Sequence, residues 1–165
     1  MYQASLVEGS MRRTAMPVGS GAFSSVYRMT NGKIVKVGQN DGTRNWLEFC
    51  MLHREAGTLM PMMPEVYCVT SIGDRHYIAT MEEYAPSDEF STAFFDAIAS
   101  SDFGQVRASF VKYLEALSGR EFTKREAFND IHSGNIMVCP RRGGIVTDPS
   151  AFDYITNSVT DFTLQ

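Results

Sequence analysis

Residues 128–138 read F-N-D-I-H-S-G-N-I-M-V, and the fold turns on what this stretch is. Asp130 and Asn135 stand five apart in a polar loop that runs into an apolar, β-prone segment. Further on, G-G-I-V-T-D-P-S-A-F repeats the pattern: the short strand Ile145-Val146-Thr147 delivers Asp148 into a second loop. Taken singly, each has an ordinary reading. Asp130 fits a turn, Asn135 a hairpin position and Asp148-Pro149 the start of a turn. Taken together, they place two carboxylates and an amide oxygen at strand ends. One carboxylate could orient an attacking hydroxyl and take its proton. The amide and the second carboxylate could hold a hard cation such as Mg²⁺ against phosphates, because such a cation prefers oxygen ligands.

Upstream, residues 16–38 read as a three-stranded meander with a glycine-rich turn between the first two strands and Asn31-Gly32 in the hairpin after them. In the run 43–56, Trp46, Phe49, Cys50 and His53 fall at helical spacing. Pro61 and Pro64 then break the chain, and 65–71 and 75–84 read as two more strands around a turn at Gly73-Asp74. Beyond Pro86 the pattern becomes helical, over 88–99 and 102–118, with Gly119 as a helix end. A helical turn is expected within 121–127.

The composition excludes several classes. A net charge of −4 argues against a nucleic-acid surface. The sequence has no apolar run long enough to span a bilayer and no signal-peptide core near its start. Three cysteines without C-x-x-C spacing predict reduced thiols rather than a zinc site.

One tripeptide competes with the 128–148 grouping. Residues 102–104 read D-F-G, the letters that mark a metal-holding aspartate in kinases. Asp102 follows two serines and opens a helical pattern, so it, or Ser101, reads as a helix cap.

In this order and spacing the motifs resemble those of protein kinases. G19-S-G21-A-F23-S-S-V26-Y27 resembles a glycine-rich loop, with Ser24 where the family has a third glycine. Ile34-Val35-Lys36 resembles the strand lysine motif, D130-I-H-S-G-N135 the catalytic loop, and T147-D148-P149 stands where D-F-G is usual. More narrowly, G-x-x-x-F-S, I-V-K-V-G, D-x-H-S-G-N-I-M and T-D-P-x-x-F resemble the early serine/threonine kinases of T-seven-like lytic bacteriophages, over roughly residues 18–152.

The resemblance implies an α+β, minimal kinase-like bilobal fold in a single domain over 1–165. A five-stranded antiparallel N-lobe with one helix would occupy about 14–84, a hinge about 81–87, and a reduced, mostly helical C-lobe about 88–165. It implies ATP and Mg²⁺ as cofactors. Gly19, Gly21, Ala22 and Phe23 would cover the phosphates, and Val26 and Val35 would flank the adenine. Met81, Glu82 and Tyr84 would lie along the hinge. Lys36 would contact the α/β-phosphates, with Lys33 a competitor, and Glu48 would be the lysine's helix partner, with Glu55 the runner-up. Asp130 would be the catalytic base, Asn135 and Asp148 the metal ligands, and His132 an orderer of the loop.

It further implies host proteins of transcription, translation or RNA processing as substrates, and the host bacterial cytoplasm as the location. No direct nucleic-acid contact and no membrane are expected. Ser20, Ser24, Ser25, Ser150 and Ser158 are candidates for autophosphorylation. The His and Arg that usually precede the base are absent. Only 17 residues follow Asp148, without an A-P-E segment. A C-lobe this short would favour a homodimer. It also keeps open a second class, a kinase-fold protein that inhibits a host factor without catalysis. Small-molecule kinases share the H-x-G-N-I loop but carry a larger acidic substrate lobe.

Overall fold

The computed structural model describes residues 15–21, 23–73, 76–86 and 101–151. Two antiparallel sheets carry the architecture. The larger contains β1 (Met16–Ser20), β2 (Ser24–Arg28), β3 (Lys33–Gly38), β4 (Val66–Ile72) and β5 (His76–Glu82), in the order β1-β2-β3-β5-β4. The smaller contains β6 (Ala85–Pro86), β7 (Ile136–Cys139) and β8 (Gly143–Val146). Helix α1 (Asp41–Glu55) joins β3 to β4. Helices α2 (Ser101–Ser118) and α3 (Lys124–Ala127) precede a 3₁₀ turn at Ser133–Asn135. The helix expected over 88–99 lies outside the described residues.

Alternation along the strands sorts the large sheet into two faces. Tyr27, Val35 and Val37 form a small cluster on one face. Ala79, Tyr77 and Met81 lie on the other, packed into the main core with Trp46, Leu47 and Cys50 of α1. Lys36 stands opposite Ala79, and Ile34 opposite Met81. Both therefore share the α1 side of the sheet. Val35 points the other way, which corrects its expected place beside an adenine.

The β2–β3 connection differs from the two-residue turn that Asn31-Gly32 suggests. The Gly32 amide donates to Met29 O and the Met29 amide to Lys33 O. Only Gly32 takes a positive φ, +77°; Asn31 does not. The loop is a type I turn closed by a glycine in the left-handed region, and the Asn31 side chain accepts from Lys33 N instead.

Helix α1 starts at a built cap, with Asn40 Oδ1 accepting from Thr43 N at 3.0 Å. Its central tryptophan is fully buried and meets Phe110 of α2 and Phe128 edge-on, at 5.2 and 5.6 Å between ring centroids. Trp46 Nε1 also donates to Val146 O at 2.9 Å, tying the helix to β8. Helix α2 ends where Gly119 adopts φ +70°. Asp102 lies in the first turn of α2 rather than before it, exposed, where its charge complements the helix dipole.

Strand β6 is the element with no forecast in the sequence. Two residues long and containing a proline, it pairs with Val138 and Met137 of β7 and so hangs the small sheet from the end of β5. Among the described residues, no helix is long and apolar enough to cross a membrane.

Candidate functional site

The two sheets face one another across a cleft of about 560 Å³. Its roof comes from β1, β2 and β3 and its floor from the β7–β8 hairpin. The hairpin explains how distant residues meet. Ile136 stands opposite Val146, so Asn135 and Thr147 are next to one another at its open end. The Thr147 amide and hydroxyl both donate to Asn135 O, each at 3.0 Å. The Asp130 amide donates to Pro149 O at 3.0 Å. The two loops are thereby stitched into one platform.

On this platform Asn135 Nδ2 donates to Asp130 O and Oδ2, at 2.9 and 3.0 Å. It also meets His132 Nε2 at 2.9 Å, while the Gly134 amide points at His132 Nδ1 at 3.1 Å. A neutral imidazole accepts at one nitrogen only, so His132 anchors one of these groups at a time. A Cβ at Gly134 would come within 3.1 Å of the ring, so glycine is what lets it fold back over the loop.

Lys36 Nζ crosses from the roof to Asp148 Oδ2 at 2.8 Å. The lysine side chain is 8% exposed and the carboxylate 23%, so this is a largely desolvated pair. Asp148 Oδ1 accepts from Thr43 Oγ1. At the cleft mouth Arg28 forms a two-pronged ion pair with Glu83, which holds the carboxyl below its usual range.

Gly19, Gly21, Val26, Lys36, Met81, Tyr84, Asn135 and Asp148 all line the cleft. Ala22 lies outside the described residues. Phe23 does not line the cleft and is 54% exposed at the tip of the β1–β2 turn. The Gly21 amide already donates to Ser24 O at 2.8 Å.

Several expectations are corrected. Glu82 alternates away from Met81: its amide donates to Glu65 O and its carboxylate accepts from Tyr67 Oη at 2.8 Å. Glu48 does not meet Lys36. It lies five residues, about 140° of helix rotation, from the Thr43 face and accepts from Tyr113 Oη at 3.5 Å. Burial raises its carboxyl above the usual range, opposed by Arg44 and that hydroxyl. Glu55 is exposed at the far end of α1. Ser150 is fully buried, its hydroxyl donating to Ala127 O, and so is no accessible phosphorylation site. Lys33 sits over the Tyr67 ring at 3.4 Å and leaves the cleft to Lys36. Asp102 is not among the cleft residues.

The sequence reading missed Arg28, Ile34 and Met137 in the lining, while Glu83 falls within the expected hinge. For two of these the signal was alternation: Ile34 lies two before Lys36, and Arg28 two after Val26.

The donor set suits a hard cation. Asn135 spends its amide nitrogen on Asp130 and His132, so Oδ1 is the atom it could offer a cation, in a cleft that Asp148 also lines. Among the described residues no cluster of three or more His, Cys, Asp or Glu could hold a metal by itself.

The architecture is α+β: a five-stranded antiparallel sheet with one helix stands across the cleft from a hairpin that supplies an Asp/Asn loop and a second aspartate. No family model and no curated protein matches the sequence. Among solved structures, the chain is similar to one described as a crystal structure of Rad53 1-466 in complex with AMP-PNP. The identity is 20%, the TM-score 0.42, and the match covers 82% of this chain but only 37% of that one.

Proposed function

We propose that this chain is an ATP-dependent serine/threonine protein kinase. The observation that carries the reading is the Lys36–Asp148 ion pair, formed between residues 112 apart, beside an asparagine bonded to Asp130. A buried lysine in a cleft of about 560 Å³, a carboxylate and an amide oxygen for a cation, and a second carboxylate for the proton are the parts phosphoryl transfer requires. Lys36 would leave Asp148 for the α/β-phosphates. Asp130 would accept the hydroxyl proton, its position fixed by the Asn135 amide. Mg²⁺ held by Asn135 and Asp148 would neutralise charge on the phosphates. The sequence motifs extend the proposal to a phage-type kinase acting on host proteins in the bacterial cytoplasm.

The test is transfer of γ-labelled phosphate from ATP with Mg²⁺, with and without bacterial extract, for wild type and Asp130→Asn. Label that falls about 10²–10⁴-fold in the variant, with nucleotide binding retained, supports the proposal. No label and no Mg²⁺-dependent nucleotide binding by the wild type would sink it in favour of a kinase-fold binding protein.

A further inference from the structure

Asp148 is held from two sides by the large-sheet half of the molecule. Lys36 engages Oδ2 and the Thr43 hydroxyl engages Oδ1. Thr43 sits in the first turn of α1, 3% exposed, with its own amide capped by Asn40. The preceding residue, Gly42, lies so near Ser150 that a Cβ there would come within 2.9 Å of both the Ser150 Cβ and its carbonyl oxygen. The first turn of the helix is thus pressed directly onto the Asp148–Ser150 segment, and the group it offers Asp148 is a hydroxyl. Tyr77 packs behind this contact, 1% exposed and covering Gly38. Burial and the Asp148 charge push its phenol up, so it stays neutral. Of the three acids on this helix, Asp41 pairs with Arg44 at 2.8 Å, Glu48 is turned toward Tyr113 and Glu55 is exposed at the far end.

These contacts divide the two donors by what they can do. An ammonium is drawn to phosphates, so Lys36 cannot hold Asp148 once a nucleotide is present. The Thr43 hydroxyl carries no charge for phosphates to draw away, and its one proton faces Asp148 Oδ1 and, at 3.3 Å, Ser150 O. Being uncharged, it fixes the carboxylate without cancelling the negative charge that a cation needs. A threonine in a helix has few χ1 states, which gives that hydroxyl a defined direction.

We propose that Thr43 is a positioning residue that holds Asp148 in its cation-binding rotamer and couples the seating of helix α1 to metal-nucleotide binding. The proposal rests on the phosphotransfer reading of the cleft. It gives α1 a direct link to the metal-side carboxylate in place of an acid paired with the lysine.

The test uses the full chain, ADP as the probe, and calorimetric titration with and without MgCl₂. Thr43→Val keeps the side-chain shape and removes the hydroxyl; Thr43→Ser restores a hydroxyl; Thr43→Ala removes it without placing a second methyl near Asp148. A hydrogen bond to a charged group predicts that Val and Ala weaken ADP binding in Mg²⁺ by about tenfold to a hundredfold. Metal-free ADP binding should be unchanged, and Ser should recover most of the loss. Labelled-phosphate transfer should show the same order as a raised Mg²⁺ requirement. Equal loss with and without Mg²⁺, or wild-type affinity in both Val and Ala, overturns the positioning role. Wild type that binds ADP no better with Mg²⁺ overturns the phosphotransfer reading itself, a result visible before any variant is made.

Discussion

Gly42 and Ser150 approach so closely that no side chain fits between them. In most helix positions alanine is better than glycine by about 1 kcal/mol, because glycine has more backbone freedom to lose. At residue 42 the order should reverse. The added methyl meets the Ser150 carbonyl, which is backbone and yields little. Gly42→Ala should therefore destabilise by about 1–3 kcal/mol, the range for an overfilled core. Gly104, in α2, where no atom of the described residues comes within 4 Å of the place a Cβ would take, is the internal control. Gly104→Ala should stabilise by about 0.5–1 kcal/mol. Urea midpoints at constant m separate the two, and two shifts of the same sign would contradict the close seating of α1.

The Lys36–Asp148 pair is unequally buried, and its two halves should not cost the same. Asp148→Ala leaves an 8%-exposed lysine without its counter-charge. Removing one partner of a buried pair costs about 3–5 kcal/mol. Lys36→Met leaves a carboxylate that is 23% exposed and still accepts from Thr43. Its cost should be about 1–3 kcal/mol. Denaturant unfolding of both variants in the absence of nucleotide checks the order, and equal losses would mean that solvent reaches the lysine freely.

Much of this architecture was legible in the sequence, and the reasons are local. Lys33–Gly38 is a β-branched run, 102–118 repeats apolar residues at helical spacing, and Asn31-Gly32 announces a hairpin even though its turn type differs. The strands that carry Asn135 and Asp148 were also legible, and the structure joins them as a hairpin whose open end sets Asn135 against Thr147. What the sequence hid depends on direction across long separations. Nothing local shows that α1 would turn Glu48 toward Tyr113 and Thr43 toward Asp148. That choice is set by Trp46, whose indole reaches Val146 and fixes the helix rotation. Strand β6 was hidden for a related reason, since two residues including a proline become a strand only when β7 pairs with them. Val35 was a misreading rather than a hidden feature: adjacent strand residues cannot share a face with Lys36.

Asp102 supplies a test of which aspartate matters. It is exposed in the first turn of α2 and away from the cleft lining. Asp102→Asn removes one favourable charge at a helix start, about 0.3–1 kcal/mol at low salt. Phosphate transfer and ADP binding should match wild type. A loss of either comparable to that of Asp148→Asn would show that the D-F-G letters at 102–104 carry the chemistry after all.

Glu48 makes a pH prediction whose sign follows from its burial. Desolvation raises its carboxyl in the folded chain, with Arg44 and the Tyr113 hydroxyl only partly opposing. The folded state therefore binds the proton more tightly than the unfolded state. As pH rises through the ordinary carboxylate range and just beyond it, the unfolded chain ionises first, and stability falls across that window. Glu48→Gln has no proton to lose. Relative to wild type it should gain stability as pH rises through the ordinary carboxylate range and just beyond it, and hold a constant advantage above. Urea midpoints for the two proteins across that range measure the difference directly. A gap that narrows with rising pH would mean that Glu48 is ionised and well paired in the folded protein, and that its partner is something other than Tyr113.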